Sequence, residues 1–159
     1  MFYTHTQPGH VTRIAILVTI LATLAPLSFL PEDEPPEVDL RVWLLVFAGL
    51  MAVALVLFWS LTVEVSVSEL VFWFGPGLIR KRIPLDEIAS AEPARTTFWQ
   101  GWGIHWTSRG WLYNISGFGA VHVRLWTGKA LLVGTDEPEA LADAIREGIA
   151  RAGREANDG

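Results

Sequence analysis

The stretch from Val42 to Gly77, VWLLVFAGLMAVALVLFWSLTVEVSVSELVFWFGPG, decides the fold because its hydrophobic period changes midway. From Val42 to Val63 no residue is charged. A helix needs about 20 apolar residues to cross a ~30 Å hydrocarbon core, and this run supplies them. Right after Leu61 the period becomes two. Val63, Val65 and Val67 alternate with Thr62, Glu64, Ser66 and Ser68, then Leu70, Phe72 and Phe74 repeat the pattern before Gly75-Pro76-Gly77 breaks the chain. Alternation of this kind marks half-buried strands, so a membrane-spanning helix is expected to run directly into a β domain.

Toward the N-terminus, Ile14 to Pro31 forms a second uncharged run. Arg13 and Arg41 border the two runs, and Trp43 and Trp59 lie near opposite ends of the longer one. At 1.5 Å per residue these two Trp stand roughly 24 Å apart, which suits a pair of interfacial anchors. The shorter run has a rival reading as the apolar part of a secretory signal peptide. Its best small-residue site, Ala22 to Ala25, is followed directly by Pro26, which suits cleavage poorly. The organisation expected is therefore a cytoplasmic tail over 1–13, spans over 14–31 and 42–61, and a short acidic external loop over 32–41. Pro31 to Leu40 holds five acids and no base, while Arg13, Arg80, Lys81 and Arg82 flank the other ends of the spans. Lys and Arg gather on the cytoplasmic side, so the expected placement is a multi-pass plasma (inner) membrane protein with both termini inside.

Beyond Gly77, Leu78 to Ile83 reads as a third strand and Ile88 to Ala94 as a weaker fourth. Val121, Val123 and Leu125 alternate with His122, Arg124 and Trp126, and Thr127-Gly128 makes a tight turn into Lys129 to Val133. Six to eight short strands predict a closed or nearly closed antiparallel barrel over 62–151. Asp136 is the expected N-cap of a helix over 136–151, with Pro138 in its first turn and Glu139 three residues on from the cap. Leu141, Ile145 and Ile149 form its single apolar stripe, which should pack on the sheet. Residues 152–159 read as a frayed tail.

Two spans, several short strands and one closing amphipathic helix resemble the membrane-anchored bacterial proteins with a pleckstrin-homology-like (PH-like) domain. The likeness is carried by TVEVSVSELVFWFGPGLIRKRIPLDEIASAEP, GWGIHW, GWLYNISG and GTDEPEALADAI, and covers Leu61 to Arg151 together with the spans. It implies about seven antiparallel strands in a partly open barrel capped by the C-terminal α-helix. It implies no particular activity, since one fold hosts many functions. In eukaryotic PH domains basic side chains near the first hairpin hold phosphoinositide headgroups. Here that turn, Ser66 to Glu69, carries no base, so the ligand site does not transfer.

Charge and motifs narrow the function classes. From Leu61 onward ten Lys/Arg stand against twelve Asp/Glu, so no broad basic field invites nucleic acid. The chain has no cysteine, which removes disulfides and thiolate metal sites. His5 and His10 lie in the expected mobile tail. His105 and His122 fall on separate strands that could be neighbours, but no carboxylate is placed to complete a triad or a metal set. No phosphate loop, dinucleotide fingerprint, HExxH or GxSxG occurs, so no catalytic, cofactor or metal residues are assigned. Asn114-Ile115-Ser116 is a formal glycosylation sequon that a cytoplasmic domain would never present.

Two features remain as sites. Phe98 to Phe118 concentrates Trp99, Trp102, Trp106 and Trp111 with Tyr113 among glycines. On an extended strand Trp102, Ile104 and Trp106 would share one face. These aromatics either fill the barrel core, or meet the lipid headgroups, where Trp is favoured, or line a groove for a partner. Arg80-Lys81-Arg82 is the one basic cluster, read either as a solvated strand face that sets topology or as an anionic-lipid contact. The leading expectation is a non-catalytic, membrane-anchored PH-like module that recruits or organises an unidentified protein at the cytoplasmic face. The alternatives are an accessory subunit of a membrane complex, for which Ala48 and Ala52 offer a small-xxx-small face, and a lipid-contacting domain.

Overall fold

The computed structural model describes residues 2–29 and 40–155. Among the described residues there are nine strands and three α-helices in the order β1 (Tyr3–Pro8), α1 (His10–Leu24), α2 (Leu40–Leu57), β2 (Ser60–Val65), β3 (Glu69–Phe74), β4 (Ile79–Pro84), β5 (Ile88–Arg95), β6 (Gly103–Thr107), β7 (Gly110–Asn114), β8 (Gly119–Leu125), β9 (Ala130–Gly134) and α3 (Pro138–Glu155). Two sheets result, β1-β2-β3-β4 and β5-β8-β9-β7-β6. All pairings are antiparallel except β7 with β9. The strand count exceeds the seven expected, and the parallel pair departs from an all-antiparallel plan.

The core follows the alternation. Leu61, Val63 and Val65 stand opposite Phe74, Phe72 and Leu70, placing six buried apolar side chains on one face of the first sheet. Val121, Val123, Leu131 and Val133 face them from the second sheet, and Leu141, Ala144 and Ile145 of α3 complete the cluster. Full burial of a side chain such as Phe72 contributes about 1.5–3 kcal/mol. α3 fits closely because it presents Gly148: a Cβ there would lie 2.7 Å from Leu85 Cδ1 and 3.1 Å from Phe2 Cζ.

Several expected boundaries move. The tail expected over 1–13 instead supplies an edge strand, β1, whose Tyr3 stands opposite Val65 and whose Pro8 stands opposite Ser60. β1 gives β2 a second neighbour and takes over the sheet edge, so the backbone of β2 is paired on both sides. His5 therefore is not in a loose tail. Its Nε2 contacts Asp136 Oδ1 and its Nδ1 lies 3.4 Å from Glu137 Oε2. Asp136, spent on His5, does not cap α3, which starts at Pro138. The first helix begins four residues before the expected 14 and passes into a 3₁₀ turn, Ala25–Ser28, where Pro26 cannot continue the α-helical hydrogen bonding. The second starts at Leu40 and ends at Leu57, short of the expected 61, because Ser60 already pairs in the sheet. The acidic loop at 32–39 and the end of the expected tail at 156–159 lie outside the described residues, whereas 152–155 still belong to α3.

Candidate functional site

The helix pair joins the β domain without a linker. One residue, Gly9, separates β1 from α1, and two, Phe58 and Trp59, separate α2 from β2. Gly9 N–H donates to the Trp59 carbonyl at 3.1 Å. Arg13 adds two hydrogen bonds to the same oxygen, from Nε at 3.0 Å and Nη2 at 2.7 Å, while its guanidinium sits 3.8 Å above the Trp59 ring. Charge-assisted hydrogen bonds and a cation–π contact thus converge on one residue.

Loops from both sheets brace the joint. Gly75, with φ +46°, tucks the β3–β4 turn beneath α2, where a Cβ would meet Val56 O at 2.4 Å. From the second sheet, Ser116 Oγ donates to Pro8 O at 3.0 Å, Gln7 Nε2 donates to Ser116 O at 2.9 Å, and Thr12 Oγ1 donates to Ile115 O. Asn114-Ile115-Ser116, the formal sequon, is buried and holds β1 and α1 against the second sheet.

An aromatic surface lies beside this joint. Trp102 Nε1 donates to Gly117 O at 3.1 Å, and its ring touches those of Phe118 (6.2 Å between centroids) and Phe98 (5.9 Å). Phe98 opens a 3₁₀ turn, Phe98–Gln100, held by Thr97 and Gln100 in a capping box. That turn projects Trp99, which is 93% exposed and touches only the edge of Phe98 among the aromatic rings. Trp102 precedes β6 rather than lying on it, so it does not share a strand face with Trp106. Trp106 packs edge-on with Trp111 at 5.7 Å, on the face of the second sheet that looks toward the first. The three Trp expected to act together thus divide: Trp102 bonds to Gly117, Trp99 stands out from the turn beside Phe98, and Trp106 lies on β6 against Trp111. Phe98 and Phe118, at the two ends of the Trp-rich stretch, belong to the same aromatic cluster as Trp102. Trp43 is exposed near the start of α2, and Trp59 is half exposed in the joint.

The basic triplet divides in the same way, because strand side chains alternate. Arg80 and Arg82 stand opposite Trp73 and Val71, on the outer face. There Arg80 stacks 4.7 Å above Trp73, and Arg82 lies 3.5 Å from Glu69. Lys81 stands opposite Phe72, on the inner face, and its ammonium approaches the Tyr113 ring of the other sheet at 5.7 Å. Between them opens a crevice of about 290 Å³, walled by Phe72, Phe74, Ile79, Ile104, Trp111 and Tyr113, with Arg80 and Lys81 along it. β4 and β6, the strands bordering it, are edges of their sheets and are not paired to each other.

His105 and His122 share the outer face of the second sheet, but β7 and β9, carrying Leu112 and Leu132, lie between them. His122 contacts Arg109 O at 3.3 Å, and His105 Nε2 is buried without a hydrogen-bond partner. Among the described residues no three His, Asp or Glu gather in a metal-binding arrangement. Among the described residues the strongly perturbed group is Tyr3, whose hydroxyl is pushed up to about 12, first by burial and then by the neighbouring charge of Glu137. No protein-family model, curated protein or solved structure matches this chain.

Proposed function

We propose that this chain is a non-catalytic, membrane-anchored PH-like module that holds a protein partner at the cytoplasmic face of the plasma membrane. The observation that carries the reading is the joint: strands β1 and β2 pass into helices α1 and α2 with no flexible linker. Such a joint fixes the orientation of the domain relative to whatever surrounds the helices.

Both helices are long and apolar enough to cross a membrane: His10–Ser28 over 19 residues and Leu40–Leu57 over 18. Their apolar side chains are largely exposed, as at Ile14, Leu21, Leu45 and Val53, which suits contact with lipid rather than with a protein core. A helix of 18 residues is about 27 Å long, close to the hydrocarbon thickness. The pairing of β1 with β2 also requires the residues before α1 and those after α2 to lie on one side. That favours an uncleaved hairpin over a signal peptide. The exposure of Trp99 and Phe98 supports, for the same reading, a contact of this turn with lipid headgroups, where Trp is favoured.

Recruitment differs from the subunit alternative in where the partner touches. A photo-crosslinking residue at Lys129 or Trp106, on the β domain, should capture a discrete protein in native membranes. Capture only from Leu50 or Val53, on α2, would replace recruitment with the complex-subunit reading.

A further inference from the structure

The β domain contains an apolar opening that the recruitment reading does not use. The two sheets enclose a common core, and α3 covers it along β5 and β8. At β4 and β6 two unpaired edges instead leave the crevice of about 290 Å³. Ligand pockets run from roughly 300 Å³ upward and are lined by apolar and aromatic side chains with a few placed polar groups, so this crevice lies at the small end of that class. Its lining is aliphatic and aromatic, and the cation at its mouth is directed inward by strand register rather than by chance of a flexible chain. Neither Lys81 nor Arg80 has a carboxylate within ion-pair distance among the described residues, whereas Arg82 has Glu69; the Arg80 guanidinium stacks on Trp73 on the outer face, which leaves the Lys81 ammonium as the inward cation. The crevice also reaches Phe74 and Ile79, which flank the turn lying beneath α2.

We propose that this crevice binds a single-chain anionic amphiphile, with the aliphatic chain between the sheets and the carboxylate at Lys81. Charge complementarity selects the class: an apolar slot with one unneutralised ammonium favours an anion on a hydrocarbon tail over a neutral chain or a cation. An inward lysine on an edge strand also discourages strand addition, which disfavours a peptide strand as the occupant. Binding here goes beyond partner recruitment and is independent of it.

The test uses the full chain in digitonin, which offers no competing straight alkyl chain, titrated with brominated dodecanoate and, separately, brominated dodecanol. Bromine quenches nearby indoles. The chain has eight Trp, so the signal is the difference from Trp111→Phe, which removes the indole lining the crevice. Saturable quenching by dodecanoate is expected to shrink in Trp111→Phe and to disappear when Trp106, 5.7 Å from Trp111, is changed to Phe as well. Lys81→Gln, and separately the change to dodecanol, should each weaken binding about tenfold, the factor that one charge-assisted hydrogen bond supplies. Ile104→Trp should fill the slot and abolish binding. Equal affinity for dodecanoate and dodecanol overturns the proposal, as do full quenching in Trp111→Phe and unchanged binding in Lys81→Gln. Lys81 is exposed, so Lys81→Gln is expected to fold even where Ile104→Trp does not.

Discussion

Gly75 and Gly128 both have positive φ, +46° and +82°, yet their surroundings differ. An added Cβ at Gly75 meets the Val56 carbonyl at 2.4 Å, while at Gly128 it meets nothing within 4 Å. Gly128→Ala should therefore cost only the backbone term, about 1–2 kcal/mol. Gly75→Ala should cost that and more, roughly 3 kcal/mol once the helix end is forced away from the turn. Thermal unfolding of both variants in one detergent checks the ranking. Tyr3 gives a prediction in pH. Its folded pKa of about 12 exceeds the unfolded value of 10.0, so the folded state holds this proton more tightly. The corresponding stability is complete below pH 10 and is lost as pH rises from 10 to 12. Tyr3→Phe should flatten that part of the stability–pH curve measured by denaturant unfolding, and an unchanged slope would reject the assignment. At this scale the sequence was only partly readable. Three adjacent basic residues look like one patch until the register with Leu70–Phe74 sends Lys81 inward and its neighbours outward.

Among the elements, β2, β3, β8 and the C-terminal helix were legible because each carries an unambiguous period. Val63 and Val65 alternate with polar residues, and Leu141, Ile145 and Ile149 recur at helical spacing. β1 was not. Its sequence YTHTQP offers no apolar alternation, and only Gln7 in it is buried. Its strand character comes from its partner β2, a contact 56 residues away between Thr6 and Thr62, and not from its own composition. Such long-range pairing overrides local propensity. Deleting residues 2–8 should therefore do more than trim a terminus. It exposes the edge of β2 and removes the His5 and Tyr3 contacts with Asp136 and Glu137. Hydrogen exchange should accelerate in Ser60–Val65, and the protein should aggregate more readily. Unaltered protection in β2 would show that β1 adds nothing to the sheet. A fragment starting at residue 61 lacks the same strand and should behave in the same way.

For the whole molecule, the two apolar runs and the β-rich remainder were readable from hydropathy and alternation alone. How they join was not, since Arg13 and Trp59 lie 46 residues apart and nothing local couples them. The joint puts the proposed reading in its most testable form, a membrane-spanning helix hairpin with the N-terminal strand and the β domain on one side of it. The chain has no cysteine, so single reporters can be placed freely. The measurement is maleimide labelling of three variants in sealed, oriented membrane vesicles: Thr4→Cys in β1, Lys129→Cys in the β domain, and Glu34→Cys between the helices. A membrane-impermeant maleimide is expected to label Thr4→Cys and Lys129→Cys from the same side and Glu34→Cys from the opposite side. Labelling of all three from one side, or of Thr4→Cys and Lys129→Cys from opposite sides, would contradict that reading.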